Sequence, residues 1–370
     1  MEIFPIILKE AQVMKRQFNT DCEGPITKND NAFEIAQKFI PHGDKFFTKL
    51  SKYDDFLADI VRKPGYKAGD TLRLILPFFK AYGLTDKDIR DFSLRNILLV
   101  PEAHNTINYI SSIMPSFIIS TSYCPYINAL CDLIGFPYEN AYCTKLNMDV
   151  CVIDDEEIYY LRKLYDEIID LPSIVLPSKA ISKSELSEDT TICIDHLDEI
   201  FWDILPQTQA GKLLEIVNPV GGFEKAQAIK NSCSKTGLTP GDVLYIGDSI
   251  TDTEAMKLVR ESGGLAVAFN GNRYAIESAQ IACTSSDTRI ISLLASAFES
   301  GGVDAVFSIA SGWMTNPDKN NLIEKICGRS MPVSNDVRLY ITAESSIDEV
   351  ISFSEDFRKT VRGKAIGKLG

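Results

Sequence analysis

Hydrophobic positions divide this chain into a long helical stretch followed by an alternation of short apolar runs and amphipathic segments. From residue 29 to about 98 the spacing is helical throughout. Ala32, Phe33, Ile35, Ala36 and Phe39 predict a helix within 29–40, ended by Pro41-His42-Gly43. Phe46, Leu50, Tyr53, Leu57 and Ile60 step by four, three, four and three, giving an amphipathic helix that Pro64-Gly65 stops. Leu72, Ile75, Leu76 and Phe79 make another, ending near Gly83. Thr85 with Asp88 is a capping pair for a further helix through Ile89 and Phe92. No strand signal falls in this region. Pro101 then suits the first turn of a helix over 102–113.

Beyond that point the pattern changes. Phe117-Ile118-Ile119 is a short apolar run leading into Ser120-Thr121-Ser122, then a helix-like stretch over 126–133 closed by Gly135. Residues 154–169 are acidic and helical, 171–187 rich in Pro and Ser, and 197–205 helix-compatible; 151–212 therefore reads as an insertion of unassigned shape. A helix beginning near Lys225 carries Ala226, Ile229 and Cys233 and ends at Gly237. Val243-Leu244-Tyr245-Ile246 is a buried strand running into Gly247-Asp248-Ser249-Ile250-Thr251-Asp252. Ala255, Leu258 and Val259 mark the next helix, and the run from Leu265 to Phe269 the next strand. Such alternation predicts an α/β fold, a parallel sheet with helices on both faces, and functional residues at the carboxyl ends of its strands. Beyond about 300 comes a tail with one strand-like segment, 337–342, and ahead of the first strand residues 1–17 form an extension.

Composition narrows the picture. The chain has 370 residues and a net charge of −13, with no Lys/Arg cluster, which argues against a nucleic-acid surface. A protein this acidic must handle phosphates locally, with a metal, a lysine or backbone amides. Nine cysteines occur without a Cys-x-x-Cys pair, and His42, His104 and His196 are scattered, so buried free thiols are expected rather than a metal site. No stretch approaches the roughly 20 apolar residues of a membrane span, and the apolar run at 3–8 is too short for a signal peptide. The expectation is a cytoplasmic protein.

Candidate chemistry lies at the predicted strand ends. In Phe-Asn-Thr-Asp-Cys-Glu-Gly-Pro-Ile-Thr (18–27), Asp21 and Glu23 are two residues apart, so their side chains can converge at the end of a strand before Gly24-Pro25 turns the chain. Ser120, Lys225, Asp248 and Asp252 follow in order. Each has a plain structural alternative: Ser120 as a helix cap, Lys225 as a solvated helix-start lysine, Gly-Asp-Ser-x-x-Asp as a turn with an N-cap.

Taken together, these motifs resemble the haloacid dehalogenase-like (HAD) superfamily over 18–28, 101–136 and 221–285. The phosphoserine-phosphatase-like branch is similar in its early acid pair, in the cap that follows directly, in Pro-Glu-Ala-His-Asn-Thr-Ile (101–107), Ile-Ser-Thr-Ser-Tyr (119–123) and Ala-Phe-Asn (268–270). The Asp-Cys-Glu-Gly-Pro-Ile opening is also similar to archaeal HAD-like proteins that go by the name of energy-converting hydrogenase subunits. The resemblance implies a Rossmannoid core from 1–28, 99–150 and 213–300, a helical cap over 29–98 inserted after the first strand, and an extension over 301–370. It implies Asp21 as nucleophile, Glu23 as acid and base, and Mg2+ held by Asp21, the Glu23 carbonyl and Asp248 with support from Asp252. Ser120, Thr121 and Lys225 would hold the phosphoryl oxygens, and Asp30 and Arg73 would contact the rest of the substrate. Asp30 as a helix N-cap and Arg73 as a surface residue are the plain alternatives.

Two departures from the family pattern stand out. Glu23 replaces the usual second Asp, moving the proton donor by roughly 1.5 Å. Pro25 replaces the usual Thr, removing a hydroxyl and a backbone donor. The expected function is hydrolysis, or transfer, of the phosphoryl group of a small phosphorylated metabolite. The alternative is a non-catalytic HAD-fold subunit with a protein partner, in a larger and conceivably redox-active complex.

Overall fold

The computed structural model describes residues 16–177, 181–313, 315–316 and 318–369. The N-terminal extension, apart from Arg16 and Gln17, lies outside the described residues. Seven strands form one sheet in the order β3-β2-β1-β4-β5-β6-β7. They are β1 (Gln17–Thr20), β2 (Ser116–Tyr123), β3 (Ala141–Thr144), β4 (Val243–Gly247), β5 (Leu265–Phe269), β6 (Ile281–Thr284) and β7 (Arg338–Ile341). All neighbours pair in parallel except β6 and β7. β1 and β4, far apart in sequence, are hydrogen-bonded from Gln17↔Val243 to Thr20↔Ile246. Here the winding direction of the sheet reverses, which opens a crevice beyond the carboxyl ends of the strands.

Helices cover both faces, as the alternating pattern requires. On one face Phe18, Ile118, Leu244, Ile246 and Val267 pack against Ile107, Tyr126, Leu130, Leu294 and Phe298. On the other, Tyr245, Val243 and Ala266 pack against Ile229, Met256, Val259, Val350 and Ile351. The 25-residue segment Arg289–Trp313 is long and apolar enough by composition to cross a membrane, a stretch the residue count above passes over. It is broken at Gly302 (φ 71°) and buries Ile290, Leu293, Phe298, Ile309 and Trp313 in the protein's own core.

The local signals of the first half hold. Asp30 caps the helix Asn31–Phe39, and Thr85 and Asp88 form a reciprocal capping box on Asp86–Arg95. The hydroxyl-rich run is not a loop, however: β2 continues through Ser120 to Tyr123, with its register against β3 shifting between Ile119 and Tyr123. The cysteines differ too, since a disulfide joins Cys124 to Cys143 of β3, while seven thiols are free. Cys124 opens the helix Cys124–Ile134 that follows β2, and that helix, the crossover to β3, separates it from Cys143, so the pairing leaves no local spacing to read.

The insertion after β3 has a definite place. Its helices Asp155–Asp170 and Glu188–Asp198 bury Leu161, Leu164, Tyr165, Ile194, Leu197 and Phe201 in the same cluster as Phe46, Tyr53, Phe78 and Phe79 of the first insertion. Neither set of amphipathic helices could cover its apolar face alone. The two insertions therefore build one cap over the sheet. The Tyr53 hydroxyl ties them, donating to Asp198 Oδ1 (2.5 Å) and accepting from Trp202 Nε1 (2.8 Å). Tyr53→Phe should cost about 1–2 kcal/mol, because two polar groups lose their partner. Urea unfolding followed by tryptophan fluorescence measures this; an unchanged midpoint would show that the two halves of the cap are not coupled there.

Candidate active site

Asp21 follows β1 directly, and its amide still donates to the Ile246 carbonyl of β4 (2.8 Å). The carboxylate is thereby fixed in the crevice between β1 and β4. Its Oδ1 accepts the Cys22 amide (2.6 Å) and its Oδ2 lies 2.7 Å from Lys225 Nζ. Lys225, in the first turn of the helix Phe223–Thr236, is fully buried and also reaches Asp252 Oδ1 at 2.8 Å. Asp252 is saturated: Oδ1 further accepts the Tyr245 hydroxyl (2.7 Å), and Oδ2 accepts the amides of Asp248 (2.9 Å) and Ser249 (3.0 Å). It therefore orients both the lysine and the loop that carries Asp248.

Carboxylate oxygens of Asp21, Asp248 and Asp252 lie within 4.8 Å of one another, all buried. Asp21 and Asp248, with the saturated Asp252 beside them, offer hard oxygen donors that could hold a divalent cation such as Mg2+, which takes oxygen ligands and keeps several waters. Asp248 has other company as well. Its Oδ2 accepts Arg358 Nη1 in a short contact and Arg362 Nη1 at 3.0 Å, both from the helix Ile347–Arg362.

Two glycines make this convergence possible. Gly24 has φ +112°, and a Cβ there would lie 2.2 Å from Asp248 Oδ2. A Cβ on Gly247 would lie 2.5 Å from Asp252 Cγ. The Gly of the Gly-Pro turn and that of Gly-Asp-Ser are thus needed for close approach as well as for turning.

The remaining expected residues fall into two groups. Ser120, Thr121, Glu23 and Asp30 line a cavity of about 100 Å³ together with Asp21, Asp248 and both arginines. Ser120 Oγ bonds the Ser122 hydroxyl (3.1 Å) and accepts the Ser122 amide (3.2 Å), whereas the Thr121 hydroxyl is turned to the Val220 carbonyl (3.0 Å). Glu23 accepts the Asn31 amide (2.7 Å), and Asp30 accepts the Phe33 amide (3.0 Å) as an N-cap. Arg73 is not among the lining residues. It pairs with Asp70 at 2.6 Å, donates to the Leu214 carbonyl (3.2 Å) and lies over the Tyr66 ring, so the cap's own structure uses its charge. Sequence reasoning missed Ser122, Tyr245, Asp54, Arg358 and Arg362. The two arginines stand four apart on an amphipathic helix, a spacing that by itself does not distinguish a site from a solvated face.

Burial dominates the electrostatics. It pushes Asp21 up to about 7, against the pull of Lys225 and with the help of Asp252 and Asp248. Burial, then the neighbouring Asp30, lifts Glu23 well above the usual carboxylate range, against the pull of the Asn31 amide and Arg362. For Lys225 burial acts downward, but Asp21 and Asp252 outweigh it and keep the ammonium charged. For Asp252 burial acts upward, but Lys225 and Tyr245 outweigh it and keep the carboxylate ionised. A carboxyl group raised in this way favours its protonated form, the form a general acid needs.

Residues 121–294 match the family model of haloacid dehalogenase-like hydrolases. The mostly parallel seven-stranded sheet with its flanking helices is a HAD-like α/β fold over the matched residues, and a helical region follows β1. The structure of gene product AF1437 from Archaeoglobus fulgidus is similar, with 27% identity and a TM-score of 0.79, over 96% of this chain and 99% of that one. That extent takes in both insertions and most of the tail. An apo phosphoserine phosphatase is more distantly similar, at 13% identity and a TM-score of 0.46, over 75% of this chain and 97% of that one. A search of curated proteins finds no match. Neither of the two structures is described as a hydrogenase subunit.

Asp54 of the cap, which also lines the cavity, is pushed up to about 7 by burial and then by Asp70 and Asp55. Because the folded state binds this proton more tightly than the unfolded chain, its contribution is complete below about pH 4 and is lost as pH rises toward 7. Asp54→Asn keeps an acceptor for the Gly69 amide and the Thr71 hydroxyl (both 2.9 Å) but cannot titrate. Unfolding free energies at pH 5 and pH 8 should therefore fall less in the variant than in the parent, and equal falls would contradict the assignment.

Proposed function

We propose that this protein is a magnesium-dependent phosphohydrolase acting on a small phosphomonoester through an aspartyl-phosphate. The observation that carries the reading is the bridging of Asp21 and Asp252 by the buried Lys225 ammonium, at 2.7 and 2.8 Å, beside Asp248 at the reversal of the sheet. Asp21 Oδ attacks phosphorus in line with the departing oxygen; a P–O bond to Asp21 forms as the ester P–O bond breaks. Glu23 gives its proton to the departing alkoxide, then takes one from the water that attacks phosphorus and releases Asp21. Lys225 and the Ser120 hydroxyl hold the phosphoryl oxygens while charge shifts between them. A magnesium ion on Asp21 and Asp248, when bound, would supply the positive charge that keeps Asp21 ionised and lets a phosphate dianion approach several acids. Phosphoryl transfer to an acceptor other than water uses the same first half-reaction.

A second reading, a HAD-fold subunit without turnover, draws on one observation: both guanidinium groups of the tail sit on Asp248, where the metal would bind.

The two readings separate by assay of p-nitrophenyl phosphate and a panel of metabolite phosphates with magnesium and with chelator. Turnover should need magnesium and fall at least about 10³-fold in Asp21→Asn, which removes the nucleophile. Turnover that persists in Asp21→Asn would overturn the covalent mechanism. Absence of turnover with every phosphate, accompanied by stable co-purification of a second protein, would favour the subunit reading.

A further inference from the structure

The C-terminal extension lines the site with Arg358, Arg362 and Leu369. Its helix Ile347–Arg362 is anchored on the core by Val350 and Ile351, by the Ser354 hydroxyl donating to the Gly271 carbonyl (2.7 Å), and by Glu355 accepting the Arg273 amide (3.2 Å). Arg358 and Arg362 are one turn apart and leave this helix on one face. Both guanidinium groups converge on Asp248 Oδ2, and Arg358 Nη1 also donates to the Asp248 carbonyl (3.1 Å). The remaining nitrogens of Arg362 donate to the carbonyls of Lys28 (Nε, 3.2 Å) and Asn29 (Nη2), where the first insertion leaves the core. The Arg358 side chain is 3% exposed, and its Nε has no partner. Past the helix, Ile366 and Leu369 join the apolar core of the cap, so the tail straps core and cap together across the cavity.

Two guanidinium groups on one carboxylate oxygen exceed what that carboxylate requires. Asp21, Asp248 and Asp252 are matched in charge by Lys225, Arg358 and Arg362. A divalent cation added to this triad brings two further positive charges to a cavity that Asp30 also lines, and so favours a phosphate dianion there. The same cation occupies Asp248 and repels the guanidinium groups from it. Their planar forks match phosphoryl oxygens, which they can grip through two parallel hydrogen bonds.

We propose that Arg358 and Arg362 are anion-binding residues of the phosphoryl site, transferring from Asp248 to the phosphoryl oxygens when a divalent cation takes that carboxylate. This rests on the phosphohydrolase reading. Cation and arginines compete for Asp248, but cation and phosphate bind cooperatively.

Calorimetric titration of the full-length protein tests this without turnover. Magnesium is titrated alone, and inorganic phosphate is titrated at saturating magnesium, for the parent, Arg358→Gln and Arg362→Gln. Arg362→Lys, which keeps the charge but loses the fork, is included, and circular dichroism checks the fold of each. Each Gln variant should bind phosphate at least about tenfold more weakly, the loss expected of one charge-assisted hydrogen bond. Without phosphate each should bind magnesium more tightly than the parent. Should a Gln variant fail to fold, Arg362→Lys is expected to fold and still to lose phosphate affinity. Phosphate affinities within twofold of the parent in the folded variants would overturn the proposal and leave the phosphohydrolase reading intact. A parent that binds neither magnesium nor phosphate would sink that reading itself.

Discussion

Burying three carboxylates within 4.8 Å of one another is the constraint on which the rest of the structure depends. Like charges this close in a dry site cannot all ionise unless cations accompany them. Lys225 reaches Asp21 and Asp252 from a helix N-terminus, while Arg358 and Arg362 reach Asp248 from the other end of the chain. Tyr245 and two backbone amides use the remaining capacity of Asp252. Sheet order follows from the same requirement. β1 and β4 must be neighbours for Asp21 and Asp248 to meet, and Gly24 and Gly247 must lack a Cβ for them to stay met.

The cap solves a separate problem. Five α-helices and a π-helical turn between residues 31 and 95 present more apolar surface than the sheet crevice can cover, and the segment after β3 presents a matching face. Joining the two puts Asp54, Thr71 and Leu72 of the first insertion over the cavity. It also makes the cap depend on a distant part of the sequence, so its stability is not a local property of 29–98.

Legibility in the sequence tracked how local each determinant is. The acids at 21, 248 and 252 and Lys225 stand in short motifs at strand ends, where alternation and turn chemistry fix position, and the structure brings them together. β4 and β5 read as strands because they are continuous apolar runs buried on both faces. β3 did not, being a four-residue edge strand that is half-exposed over most of its length, and β6 is as short, with Ala282 and Thr284 breaking its apolar run. Ser120 read as loop because polar residues interrupt a strand whose partner slips register beside it. Arg358 and Arg362 were illegible for a different reason. Arginines four apart on an amphipathic helix normally face water, and nothing within twenty residues reveals that this helix docks beside β4.

The size of the cavity bears on how the site is reached. About 100 Å³ holds only some three waters at roughly 30 Å³ each, whereas pockets that take a metabolite measure about 300–1,000 Å³. In the proposed reaction a phosphoryl group would occupy this space, which residues of both the cap and the tail border. Both are held by the same clasp: Arg362 grips the carbonyls of residues 28 and 29, and Leu369 packs into the cap while lining the cavity. A group that draws Arg362 toward phosphate therefore loosens the attachment of the first insertion to the tail. Charge neutralisation at Asp248 and attachment of the first insertion to the tail are, in this architecture, served by one set of hydrogen bonds.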